Sequence, residues 1–304
     1  MSELLLRGLE GTNPLGFLAA LGTLRLCDLK WGGTAQLKWV RDGGWRPALA
    51  GVPVESQADF CKILAEDASW APLNVFAGLG ENLTVAPAVF EQTARKIAEE
   101  ALPPERSALD FIAAFGNELF VDPKGRIQYT DLSFITGSGH QDFLGTARAL
   151  QKCAEIEHLT EALFGPWRFA DKSNSFRWDP EDAKEYALQW ENPSRPGVWT
   201  VWGANRLAFE ALPLFPVMPA PTGLRTTGFR TAEGGVHEFT WPIWTEPVSA
   251  DTVRSLLSLR LLDIPNPDRT ELRAMGIEEI FRAQRVRIGQ GANFKVSFRP
   301  ARAA

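Results

Sequence analysis

Hydrophobic positions recur along this chain in two rhythms, one close to 3.6 residues and one of two, and their succession predicts a mixed fold. The run "GTNPLGFLAALGTLRLCDLKWGG" has helix punctuation at both ends. Asn13 suits the N-cap, Pro14 the first helical position, and Gly32 follows the last periodic residue. Leu15, Phe17, Leu18, Leu21, Leu24 and Leu26 point nearly all round, so this helix should be buried on most sides. Before it, "ELLLRGL" reads as a short strand; after it, "AQLKWV" and "WRPALA" read as strands joined by the turn "RDGG". "SQADFCKILAEDA" is a capped helix with Phe60, Ile63 and Leu64 on one face.

Next come two helices broken at Pro103 and Pro104, and a hairpin turning at Asp122 to Gly125. From Ser138 to about Phe164 the spacing of Phe143, Ala147, Leu150 and Ala154 predicts one long helix. Beyond Gly165 the chain becomes dense in Trp and Pro, and "NPSRPG" and "FPVMPAPTG" read as irregular. "GANRLAFEALPL" is a helix, "GLRTTGFRTAEGGVHEFTWPIW" two strands about "AEGG", and "SADTVRSLLSLRLL" a capped helix. The end is a strand pair around the Gly289 to Gly291 turn. A soft boundary near 165 would separate a helix-and-strand part, 1–165, from a Trp- and Pro-rich part, 166–304. The Pro-rich segments stay rich in large apolar residues, so the expectation is a single α+β unit over 1–304.

Composition narrows the classes. With 45% hydrophobic residues the chain can bury a core. Eleven Trp against two Tyr means that indole N–H groups need polar partners between the layers. A net charge of -5 argues against a general nucleic-acid coat. Cys27, Cys61 and Cys153 form no CxxC pair, so neither a disulfide framework nor a zinc site is indicated. "MSELLLRGLEG" lacks the basic and apolar regions of a signal peptide, and no apolar run reaches membrane length. The expectation is a cytoplasmic protein with reduced thiols, no membrane contact and no cofactor.

The segment "FITGSGHQDFLGTARAL" raises the main chemical question. Ser138 and Gln141 match a capping box, which places His140 in the first turn of the long helix, where the dipole favours a neutral ring. The amides of Gly137, Ser138 and Gly139 could instead cradle an anion or a nucleic-acid backbone at the same end. Catalysis with His140 as base is the third reading. No Lys-Ser or Lys-Thr follows, so this is not a P-loop, and Asp142 stands where G-x-G-x-x-G needs its third glycine. A continuous helix would hold His140 and His158 about 27 Å apart, too far to share a metal. Asp179, Glu181 and Asp182 read as a solvated turn rather than a carboxylate site, and His237 as a packed or surface strand residue.

The C-terminal stretch from Arg269 to Ala304 carries eight basic and three acidic residues, a local +5 in a chain of -5. In a strand, Arg285 and Arg287 share a face. Together with Arg282, Lys295 and Arg299 they are the candidate nucleic-acid-binding residues, with Phe294 and Phe298 available for base stacking. The opposing reading is a charged edge strand that resists aggregation.

The opening "LRGLEGTNPLGFLAALGTLRL" resembles the start of proteins encoded in type I-G (formerly I-U) CRISPR loci. One such group is the large subunit of the interference complex; the other, shorter, is an extension of the helicase–nuclease. The shorter group is the more similar, through "GSGHQ-x-FL", "RWDPEDAKEYAL", "GANRLAFEALPLFP", "FTWPIW" and "FRAQR". The main enzyme's Walker A and His-Asp metal motifs are absent from this sequence. The resemblance implies a non-catalytic accessory or subunit of antiviral defence, with effector proteins or the helicase–nuclease, guide RNA or target DNA as partners. The alternative is a hydrolase or nuclease, with or without a metal, using His140 as base beside Ser138 or the carboxylates near Asp179.

Overall fold

The computed structural model describes residues 3–67, 70–100, 106–134, 142–183, 199–221, 223–288 and 295–304. Helices and several small sheets alternate along the chain, an α+β fold as expected. At its centre lies α1, Pro14–Lys30, in which every residue from Pro14 to Cys27 is buried. Asn13 caps it as the sequence predicts, accepting from the Leu15 and Gly16 amides at 2.8 and 3.3 Å. β1 (Leu4–Leu5), β2 (Gln36–Arg41) and β3 (Trp45–Ala50) form a three-stranded sheet in the order β1-β3-β2. α2, Gln57–Ala65, starts at Ser56, whose hydroxyl accepts from the Asp59 amide. α3 (Pro87–Glu100) and α4 (Ser107–Phe115) flank the proline pair, and β4 (Gly116–Val121) with β5 (Ile127–Tyr129) makes the expected hairpin.

The long helix expected over 138–164 is two helices. α5 is Phe143–Cys153 and α6 is Ile156–Leu163. Ala154 takes an extended backbone, and Glu155 starts α6 through a reciprocal cap in which its amide donates to His158 Nδ1 at 3.1 Å. Arg206 donates to the freed Ala154 carbonyl and so satisfies the break. Helical spacing runs through the break, because residues suited to a cap also suit a helix interior at E-x-x-H spacing.

β6 (Asp171–Lys172) pairs with β7 (Trp199–Thr200), and α7 (Trp202–Phe209) follows. An alanine Cβ at Gly22 would lie 1.8 Å from the Leu207 carbonyl oxygen, so α1 and α7 meet backbone to backbone. Contacts such as this one cross position 165, and the buried side chains form one cluster.

The "FPVMPAPTG" segment, expected to be irregular, contains β8, Val217–Ala220, paired with β9, Gly223–Thr226. The two strands expected after it are three, since the Thr227–Gly228 turn separates β9 from β10, Phe229–Thr231. Gly228 has φ +79°, a conformation glycine takes without strain. β11 (His237–Trp244) then precedes α8 (Ala250–Leu257), α9 (Arg269–Ala274), β12 (Ile277–Ile288), β13 (Lys295–Phe298) and β14 (Arg302–Ala303). The second sheet runs β10-β11-β12-β13, with β14 also on β12.

Indoles tie these layers together. Phe17 of α1 stacks on Trp39 at 5.6 Å and lies 5.6 Å from Trp241. Several buried Trp find the expected polar partner in a backbone carbonyl, with Trp241 Nε1 donating to Gly11, Trp244 to Leu37 and Trp178 to Leu132, all within 2.9 Å. Trp45 donates instead to Glu279 Oε2 at 3.0 Å, and Trp39 Nε1 has no hydrogen-bond partner among the described residues. No helix among the described residues is long and apolar enough to cross a membrane.

Candidate nucleic-acid interface

β12 is long because "IEEIFRAQRVRI" is rich in β-branched and aromatic residues, and its C-terminal third pairs with β13 as a two-stranded ribbon. Arg285 lies opposite Phe298, Arg287 opposite Val296, and Ile288 opposite Lys295. Directly opposed residues share a face, and faces alternate along each strand. Arg285 and Arg287 therefore share one face, as predicted. Lys295 and Arg299 belong to the other, and regular alternation puts Arg282 there too. The single exposed basic face expected from sequence is split by the pleat.

The five residues also differ in exposure. Arg287 and Arg299 are exposed, and Lys295 and Arg285 are half-buried. Arg285 donates to Asp131 Oδ1 at 2.9 Å and lies 5.2 Å from the centre of the Phe134 ring. His237 Nδ1 lies 3.4 Å from the same oxygen, and this hydrogen bond raises the His237 pKa. Phe298 packs on Phe134 at 4.8 Å and on Phe239, so it is core rather than a stacking platform. Arg282, expected on an exposed basic face, is only 4% exposed and donates to the carbonyls of Ile264 and Pro265. Burial, reinforced by Arg230, pushes its pKa down to about 10. A guanidinium held this way is unavailable to a nucleic-acid backbone.

Gly137, Ser138, Gly139 and His140, like Phe294 and the Gly289 to Gly291 turn, lie outside the described residues. Their neighbourhood is partly defined. α5 begins at Phe143, and its first amides are already engaged: Phe143 N–H with Asn82 Oδ1 at 2.8 Å and Leu144 N–H with the Glu81 carbonyl at 2.7 Å. Those donors are closed to an anion. Asp179, expected in a solvated turn, is fully buried and accepts from Asn13 Nδ2 at 3.1 Å, linking the α1 cap to the second half of the chain. Burial raises the pKa of Cys27, Cys61 and Cys153, which makes them poor nucleophiles. Among the described residues no three His, Cys, Asp or Glu side chains are grouped to hold a metal ion.

Two charged clusters escape a reading by motif. Glu238, fully buried on β11, accepts from Arg230 Nε at 3.1 Å, from Arg302 Nη2 at 2.7 Å and from Gln284 Nε2 at 3.3 Å. Glu210, just past α7, accepts from Arg25 Nη1 at 3.0 Å and from the Ala71 amide at 2.9 Å. Arg206 stacks 3.9 Å over Trp70 at the same place, beside a cavity of about 240 Å³ including its mouth. Burial pushes Glu210 up to about 7 against the pull of Arg25. The available signal was a lone charge inside an apolar run, Arg25 in "LGTLRLC" and Glu210 in "LAFEALPLF".

No protein-family model matches the chain, and no curated protein matches it.

Proposed function

We infer that this protein is a non-catalytic subunit or accessory of a type I CRISPR interference system that contacts guide RNA or target DNA within a protein assembly. The observation that carries the nucleic-acid part is the β12–β13 ribbon, an antiparallel pair with basic side chains on both faces and Arg287 and Arg299 exposed on opposite ones. Val296, Ser297 and Phe298 are buried and hold β13 against the rest of the chain, so what the pair offers a nucleic acid is phosphate contact by the exposed Arg287 and Arg299 rather than insertion into a groove. The remainder of the chain is acidic, which suits selective docking at one edge rather than coating. The system assignment rests on the resemblance in "GANRLAFEALPLFP", "FTWPIW" and "FRAQR". Co-expression with the other proteins of its locus and a guide RNA tests it: the expected result is one particle that retains this chain through affinity and size-exclusion steps. A chain that elutes alone, with guide RNA present, overturns the reading.

A further inference from the structure

The polar face of the five-stranded sheet is roofed. Glu238 and Thr240 of β11 face Gln284 and Arg282 of β12 in register, and Arg230 of β10 lies opposite Glu238. The segment after α8 covers them, with Arg230 Nη1 donating to the Asp263 carbonyl at 2.9 Å and Arg282 donating to the next two carbonyls. Beside these contacts the roof stands off the sheet and leaves an open cleft of about 470 Å³ including its mouth. Arg225, Arg260, Thr240 and Asp263 supply polar lining, and Leu259 and Leu262 apolar wall.

Three observations point to an absent ligand. Thr240 is 1% exposed, lines the cleft, and its Oγ1 has no hydrogen-bond partner. A buried hydroxyl left unsatisfied is costly and rare. Arg225 engages Asp263 through Nη2 alone, 2.7 and 2.6 Å from its two oxygens, which leaves the rest of its fork outside that ion pair. Finally, the lining of the cleft sets Arg225 and Arg260 against one carboxylate, Asp263, an excess of one positive charge in a chain of -5. Such an excess favours an anion. The planar guanidinium fork matches phosphate oxygens in particular.

We propose that this cleft binds the phosphate group of a small phosphomonoester. Arg225 and Arg260 clamp the phosphate, the Thr240 hydroxyl donates to one of its oxygens, and the leucine wall meets the body of the ligand. Neither Arg287 nor Arg299 lines the cleft, so its occupancy and nucleic-acid binding by the ribbon fail independently.

The test uses the full chain with adenosine 5′-monophosphate, orthophosphate and adenosine, followed by calorimetric titration and thermal melts. Adenosine 5′-monophosphate and orthophosphate should bind and raise Tm, and adenosine should do neither. Arg260→Ala, at an exposed position, and Arg225→Ala should each weaken adenosine 5′-monophosphate about 10- to 100-fold, as expected for loss of a charge-assisted hydrogen bond. Thr240→Val is close to isosteric and removes an unpartnered hydroxyl, so it should weaken the ligand without lowering the Tm of the free protein. The proposal is overturned if neither phosphate compound binds at about 10 mM, a concentration that would detect even a millimolar site. It is also overturned if adenosine binds as well as its monophosphate, or if folded Arg260→Ala binds the monophosphate like the parent chain.

Discussion

Single charges inside apolar runs determine much of this molecule's chemistry. Arg25 sits on a helix buried all round, so its guanidinium must find a carboxylate, and Glu210 is that partner across 185 residues of chain. Above about pH 7, where Glu210 is ionised, removing Arg25 strands a buried charge, so Arg25→Met should cost about 3–5 kcal/mol in chemical denaturation at about pH 8. The double variant Arg25→Met with Glu210→Gln removes both charges, keeps an acceptor for the Ala71 amide, and should recover most of that loss. A double variant as unstable as the sum of both singles would show that the pair is not coupled. Glu210 also gives stability a pH dependence. Its pKa is raised from an ordinary 4.5 to about 7 in the folded chain, so the folded state holds its proton more tightly than the unfolded state. The stability this contributes is complete below the unfolded value and is lost as pH rises through about 7. Relative to Glu210→Gln, the parent chain should therefore lose stability between about pH 5 and about pH 8, on the order of 3 kcal/mol at 1.4 kcal/mol per unit. A flat difference across that range would exclude the shift. Arg282 shows what a sequence hides at this scale: alternation assigns a strand residue to a face, but it does not reveal that Ile264 and Pro265 fold over that face and take its guanidinium.

At the scale of elements, punctuation was more legible than continuity. Asn13, Ser56 and Ser249 each cap the helix expected of them, because a capping side chain acts on amides two or three residues away and needs no tertiary partner. The α5–α6 break was not legible, since Arg206 of α7 satisfies the Ala154 carbonyl and that contact is non-local. β8 was missed for a related reason: Pro219 lies within it, and its pairing is set by β9. The α1–α7 contact depends on one small residue. Alanine at Gly22 brings its Cβ to 1.8 Å from the Leu207 carbonyl oxygen, a backbone atom that can retreat only if the helix moves. Gly22→Ala should destabilise the chain by about 1–3 kcal/mol or more despite alanine's higher helix propensity, as read by urea midpoint. A neutral or stabilising result would mean that α1 and α7 are further apart in solution.

For the whole molecule, the unequal spread of charge makes the testable statement about binding. The chain carries -5 overall and +5 from Arg269 to Ala304, yet burial withdraws Arg282 and Asp131 engages Arg285. Arg287 and Arg299 are the candidates whose side chains are exposed, on opposite faces of the ribbon. Each phosphate contact releases about one counterion, giving a log–log slope of affinity against salt near -0.7 per contact on single strands. Arg287→Ala with Arg299→Ala should flatten the slope measured with single-stranded RNA or DNA by roughly one to two units. Stability should move by no more than about 0.5 kcal/mol per site, because both side chains are on the surface. Arg282→Ala should do the reverse, leaving the slope alone and lowering the melting temperature, because its guanidinium ties β12 to the roof carbonyls. An unchanged slope in the ribbon double variant, with binding otherwise salt-dependent, would move the nucleic-acid contact to another part of the surface and leave the ribbon arginines as guards of a strand edge.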